Sequence, residues 1–388
     1  MTIEGSPTVD AARRVAPTLA AHRQDADRAA RMAPAVRDAM GRAGMFALCA
    51  PRECGGAEVG LVELVETIEV LARADPGAAW HVGNSVVAGC CAASSGPADR
   101  AELFADLTRP FGFSAVPGGT ARPVDGGWSI TGRWPFVTGS LDAGWLGLTA
   151  RVHEADGSPR LLDGRPVVRT FYVRAADVQV EPTWEAVAGM RSSGSNAVAA
   201  DAVRSPGEAV LQLLRSPAVA PRPLYQIVPY QLFWATVVGT VLGIWAAAVD
   251  AAAATVSGKR SSIDGGLAAE LVSVQHTLAE ADTTRRAFRL AVLDGLGEIW
   301  EAASARGGTT ATERAPAWAA MILAPDRARE SVSRLYAAAT TQVWLASHPL
   351  ARAVADLHAI TVAFERFRPI VADAGRQLAG LEPLHPLA

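Results

Sequence analysis

Residues 126–140 read GGWSITGRWPFVTGS, and the rest of the chain arranges itself around them. From Trp128 to Gly132 bulky and small residues alternate with period two, the Gly126-Gly127 pair supplies a turn, and Gly132 lets the backbone bend before Trp134. On periodicity alone this is a β-hairpin. Trp134, Phe136, Thr138, Gly139 and Ser140 then set apolar rings, hydroxyls and a bare stretch of backbone side by side, a surface suited to a flat heteroaromatic ring with polar edges.

On either side of the hairpin the period changes. Residues 8–48 and 59–74 carry apolar positions at helical spacing, and Pro76 opens a further helix with Asp75 as its N-cap. Short apolar or alternating runs at 111–116, 127–131, 145–152, 167–173 and 178–182, parted by Gly, Pro and Asp, predict strands, with 152–166 as an exposed loop. Beyond Pro223 four long helices are predicted, at 230–257, 267–306, 316–345 and 350–381, with Gly307-Gly308 and His348-Pro349 as breaks. Short connections favour an antiparallel four-helix bundle. The predicted organisation is α+β: an N-terminal helical domain (1–110), a central β domain (111–220) and a C-terminal helical bundle that also mediates oligomerisation (221–388).

With 388 residues the chain exceeds a comfortable single core. Half the residues are hydrophobic, 19% are charged and the net charge is -3, which gives no electrostatic case for a nucleic-acid partner or an anionic membrane surface. Cys49, Cys54, Cys90 and Cys91 form neither a disulfide framework nor a metal-ligand pattern and read as small residues in a reducing compartment. The opening MTIEGSPTVDAARR has no apolar signal region, so a cytoplasmic protein is expected. Residues 232–249 run 18 positions without a charge, the lower limit of a membrane span, but no basic cluster flanks them and Asp250 follows directly. They are read as a buried central helix, and the Trp234/Trp245 pair as a side of it that calls for a second subunit.

A second segment changes the weight of the first. Trp184 to Ser195 reads WEAVAGMRSSGS, and together with GRWPFVTGS it resembles the "GRW-F-SG … W---GMRGTGS" pair of the acyl-CoA dehydrogenase superfamily, in particular its group D two-component flavin-dependent monooxygenases. The resemblance covers nearly the whole chain. It implies an N-terminal helical domain, a central β-barrel and a C-terminal four-helix bundle. It further implies a flavin, FMN or FAD, delivered reduced by a separate reductase, and oxygenation of a small-molecule substrate. On the same ground Trp134, Phe136, Thr138, Gly139 and Ser140 bind the flavin, with Thr138 near its N5 atom controlling decay to hydrogen peroxide. Trp80, with His81 beside it, and Ser114 line the substrate pocket. Arg260, in SGKRSS, clamps the flavin phosphate from a neighbouring subunit of a homotetramer, and Gln275 lies at that interface. Each position also has a plain structural reading: a strand hydroxyl for Thr138 and Ser114, a solvated helix-end charge for Arg260, core packing for Gln275.

HPLARAVADLHAITVAF, at 348–364, resembles the "PL-R--RD-HA----H" helix that borders the flavin and often carries a histidine base. Pro349, Leu350, Arg352, Asp356, His358 and Ala359 match; Ala355 replaces the second Arg, Ala363 the terminal His, and Ala88 a further pocket His. Phenol hydroxylation needs a base of near-neutral pKa. His358, or else His81, is the imidazole left to serve, and a substrate that carries its own nucleophile, an electron-rich aromatic, an enol or an amine, asks less of the protein. Two alternatives stand beside this one. An acyl-CoA dehydrogenase-like desaturase or oxidase needs a carboxylate base, absent from LYAAATTQVWLASHP, with Glu270 and Glu280 as substitutes. A catalytically silent homologue would serve only for assembly. No G-x-G-x-x-G opens a βαβ unit, so no nicotinamide site is expected.

Overall fold

The computed structural model describes residues 5–206, 208–209, 222–260, 265–339, 341–362 and 367–384. Its first helices are α1 (Pro7–Ala29), α2 (Pro34–Arg42), α3 (Leu61–Ala74), α4 (Pro76–Ala92) and α5 (Pro97–Leu103). As the sequence predicts, Asp75 caps α4, one carboxylate oxygen accepting from the Gly77 and Ala78 amides at 3.0 and 3.2 Å.

The strands are β1 (Phe111–Val124), β2 (Gly127–Val137), β3 (Trp145–Val152), β4 (Leu161–Leu162), β5 (Arg165–Pro166), β6 (Val168–Arg174), β7 (Gln179–Glu181), β8 (Asn196–Ser205) and β9 (Glu208–Ala209). β1 and β2 form the expected hairpin, with Val124 opposite Gly127 and Gly119 opposite Gly132. Seven strands make one mixed sheet in the order β7-β8-β2-β1-β3-β6-β9, where β1 and β3 run parallel and the other pairs antiparallel; β4 and β5 form a separate ribbon. This corrects the expected barrel. The sheet is open among the described residues, because its edge strands, three residues in β7 and two in β9, offer too few ladder bonds to close a cylinder.

Trp134 is likewise corrected. Its indole is wholly buried in the sheet core and donates to the Thr149 carbonyl at 2.6 Å. A methyl group on Gly119 would sit 2.5 Å from the ring, so Gly118 and Gly119 leave the space that the indole fills. Trp134 therefore anchors the strand and offers no surface to a ligand.

Among the described residues the C-terminal helices are α6 (Pro229–Ser257), α7 (Val272–Arg306), α8 (Ala311–Ala338), α9 (Pro349–Thr361) and α10 (Arg368–Leu378). α8 starts at a capping box of Thr310 and Glu313, which leaves Pro316 inside the helix. Residues 363–366, Ala363 among them, lie outside the described residues, as does the boundary expected near residue 220.

α6 is long and apolar enough to cross a membrane, yet it runs through the centre of the molecule against α3, α4, α8 and α9. A methyl on Gly243 would meet Ala72 and the Glu69 carbonyl at 2.6 Å, which shows how closely α3 and α6 approach. Trp234 packs edge-on to Trp318 and Phe367, and Trp245 donates to Ser331 at 2.9 Å. Both rings are buried by packing within one protomer.

Arg23 of α1 joins the layers. Buried, it donates to Asp27 (2.9 and 3.0 Å), to Asp75 at the head of α4 (3.2 Å) and to Asp356 of α9 (2.8 Å). Burial opposes its charge, but Asp356, Asp75 and Asp27 together hold its pKa above the ordinary guanidinium value. Removing one partner of a buried ion pair leaves uncompensated charge. Arg23→Met should therefore destabilise the protein by about 3–5 kcal/mol in urea titrations; an unchanged midpoint would show the three carboxylates to be relieved by other means.

Candidate functional site

The loop between β7 and β8 is held from three directions. Met190, left-handed at φ 54°, donates its amide to Asp356 at 2.6 Å. Ser192 donates to Asp75 at 2.6 Å, and Arg191 donates to the carbonyls of Asp27 and Val187 at 2.6 and 2.7 Å. Gly189 lies so close to α9 that a methyl there would stand 2.2 Å from the Ala355 carbonyl oxygen, and one on Gly77 would stand 2.1 Å from the Ser192 hydroxyl oxygen. The Gly-Met-Arg pattern is thus a packing requirement. Where the resemblance predicts a second Arg, Ala355 borders a cleft of about 420 Å³ shared with Arg352, Arg191 and α1.

Against this loop lies the end of the hairpin. Thr138 and Ser195 share a hydrogen bond at 2.9 Å, Ser195 and Ser193 another at 2.9 Å, and all three side chains are buried. Gly139 donates its amide to the Ser193 carbonyl and Ser140 its hydroxyl to the Gly194 carbonyl, both at 3.3 Å. Phe136, at φ 57°, keeps its ring 67% exposed and meets Trp184 edge-on at 6.2 Å. The structure therefore brings Phe136, Thr138, Gly139 and Ser140 together with Trp184, Ser193 and Ser195. Sequence reasoning leaves the two serines unassigned, although they stand in the second motif.

His81 sits beneath this segment. Its Nδ1 is 3.0 Å from where a side chain on Gly139 would begin, which, with φ 72°, is why that position is bare. Among the described residues neither ring nitrogen has a hydrogen-bond partner within bonding distance. Burial lowers the imidazole pKa against the opposing pull of Asp142, so the ring is neutral in the folded state.

Trp80 is half-buried on α4, edge-on to Phe233 at 6.0 Å; Phe233 stacks on Tyr230, which meets Phe367 at 5.6 Å. Of this aromatic wall the sequence points only to Trp80, because Tyr230 and Phe233 read as core positions of the apolar helix α6. Ser114 is buried on β1, one residue past the bridge between Phe113 and Thr138, and donates weakly to the Pro135 carbonyl at 3.4 Å. It does not face solvent. His358 is exposed on α9 with Nδ1 2.8 Å from the Val354 carbonyl, to which it donates. Arg260 is exposed beyond α6 and donates to the Gly265 carbonyl at 2.9 Å, outside the junction. Cys49, Cys90 and Cys91 are neutral packing groups, burial pushing Cys90 up to about 12.

A helical layer, a mixed sheet and a second helical layer that meet where two sheet loops interlock define an acyl-CoA dehydrogenase-like fold. Residues 8–109 match the acyl-CoA dehydrogenase N-terminal domain and residues 235–364 the acyl-CoA dehydrogenase C-terminal domain. The chain belongs to the acyl-CoA dehydrogenase family. A "Pigment production hydroxylase" of a Rhodococcus species is 28% identical over 62% of this chain and 63% of that one, and the "Flavin-dependent monooxygenase, oxygenase subunit HsaA" of Rhodococcus jostii is 26% identical over 58% of each. The chain thus aligns with about three fifths of the length of these two relatives. The solved structure of XiaF from a Streptomyces species, in complex with FADH2 and glycerol, has a TM-score of 0.85 at 22% identity, over 98% of this chain and 96% of that one.

The residues present fit a flavin. An aromatic edge at Phe136 and Trp184 beside a row of hydroxyls offers what a flat ring with a polar edge requires.

His81 gives the site a pH signature. The unfolded chain takes up a proton near the usual imidazole value of about 6.5, while the folded chain resists it, so the stability tied to His81 is complete above that pH and falls as pH drops towards the folded value. The urea midpoint of the wild type should fall more steeply between pH 7 and about 5.5 than that of His81→Phe. Parallel slopes would show the ring to be protonated, or paired, in the fold.

Proposed function

We propose that the protein is the oxygenase component of a two-component flavin-dependent monooxygenase, acting in the cytoplasm, where its thiols stay reduced, on a small electron-rich aromatic, enol or amine. The observation that carries this reading is the interlocking of the 136–140 and 184–195 segments through Thr138 and Ser195, beside which the buried carboxylates Asp75, Asp142 and Asp356 are all paired with arginines. Asp75 and Asp356 are engaged by Arg23, and Asp142 by Arg31 at 3.0 Å. The substitutes Glu270 and Glu280 are also engaged, by the Leu267 amide and by Arg334. A dehydrogenase acting on acyl thioesters needs a carboxylate free to take a proton, which these five are not.

Reduced flavin, when bound, supplies the electrons that activate dioxygen. Phe136 and Trp184 offer it an aromatic edge, and Thr138 a hydroxyl at its polar edge. Trp80, Phe233, Tyr230 and Phe367 present a wall that shields the reacting centre from water and seats a flat substrate. His358, exposed on α9, is the imidazole that serves where the substrate must lose a proton. Arg260 reaches the flavin phosphate of an adjacent subunit in a homotetramer, a role its bidentate fork suits. The exposed Leu271, Val272, Trp344 and Leu345 are apolar surface for that assembly.

The test is oxygen consumption with and without a flavin reductase. Product should form only when reduced flavin is supplied; direct NADH oxidation by the purified protein with flavin alone would refute the reading. Thr138→Val should keep the fold and raise peroxide release relative to product. Arg260→Ala should weaken flavin affinity about tenfold or more without changing the sedimentation of the oligomer. Full affinity in a monomer would remove the shared site.

A further inference from the structure

Thr138, Ser195 and Ser193 form a buried row of three hydroxyls joined by two hydrogen bonds of 2.9 Å each. Each hydroxyl has one proton to give and lone pairs to receive. Three protons thus serve two links, and among the described residues no other group bonds to any of the three oxygens. Nothing among the described residues fixes the direction of the row. It runs outward, Thr138 to Ser195 to Ser193, or inward, and the group that meets Thr138 decides which.

Building on the flavin reading above, we propose that Ser195 and Ser193 are positioning residues that act through Thr138, forming a reversible relay that lets its hydroxyl accept from one redox form of the flavin and donate to the other. Flavin N5 carries a proton when reduced and a lone pair when oxidised. Facing N5–H, Thr138 accepts and passes its own proton to Ser195; facing a bare N5, Thr138 donates and is backed by the Ser195 proton. In both directions the neighbouring hydroxyl polarises Thr138 and strengthens its bond to the ring. The loop that carries the serines is fixed by Asp75 and Asp356, so the row is held in place with its proton positions free.

A double-mutant cycle on flavin binding tests this, with oxidised and anaerobically reduced FMN and FAD titrated into wild type, Ser195→Ala, Thr138→Val and the double variant, each checked for an unchanged thermal midpoint. Ser195→Ala should weaken both redox forms by a similar factor, about three- to tenfold. It should also raise the peroxide yield, and in the Thr138→Val background it should add nothing. Ser193→Ala should act in the same direction and more weakly. Additive losses, or wild-type affinity in Ser195→Ala, overturn the relay, and a loss confined to one redox form overturns its reversibility. A wild type that binds neither redox form overturns the flavin reading itself, a distinct result.

Discussion

One buried guanidinium facing three carboxylates is the constraint on which the rest of the molecule depends. The acids that Arg23 holds all face other groups as well. Asp75 caps α4 and receives the Ser192 hydroxyl, Asp356 receives the Met190 amide, and Asp27 lies 3.7 Å from Arg352. Burial pushes the Asp27 carboxyl up while Arg23 pulls it down, so the cluster is balanced only when complete. The two loops of the candidate site therefore owe their register to a charge cluster that itself need not touch a ligand.

A fixed frame suits the chemistry proposed. The hydroxyl row, the bare Gly139 backbone and the neutral His81 beneath it are packed together, and an aromatic cluster joins α4, α6 and the start of α10. Protein groups of this kind orient and exclude; they do little covalent work. The replacement of the expected imidazoles by Ala88 and Ala363 accords with a substrate that brings its own electron density.

Much of this is legible in the residues. The hairpin, the Asp75 cap, the long helices and the pairing of two motifs follow from periodicity, capping chemistry and resemblance. What escapes is whatever depends on distant partners. Trp134 reads as a surface ring in its own segment, and only Gly118 and Gly119, across the hairpin, make the cavity that swallows it. Closure of the sheet depends on how long the edge strands β7 and β9 turn out to be, which alternation does not report. Pro316 reads as the opening of α8, whereas the Thr310–Glu313 box starts that helix a full turn earlier. Ser193 and Ser195 stand in a recognisable motif, yet their hydroxyls gain meaning only from Thr138, which lies 57 residues before Ser195 in the chain.

The central position of α6 also bears on how the chain comes to be folded at all. Leu64, Ile68 and Leu71 of α3 bury themselves in a core that includes Val238, Leu242 and Trp245, so the first helices have no complete hydrophobic partner until synthesis has passed well beyond Pro229. An emerging polypeptide of this design carries open apolar surface through the making of its entire sheet, and native contacts of such wide sequence separation form slowly. Truncations that keep only the leading helices and sheet should consequently be aggregation-prone fragments, and production in a host will depend on chaperone supply more than on the modest charge of the finished surface.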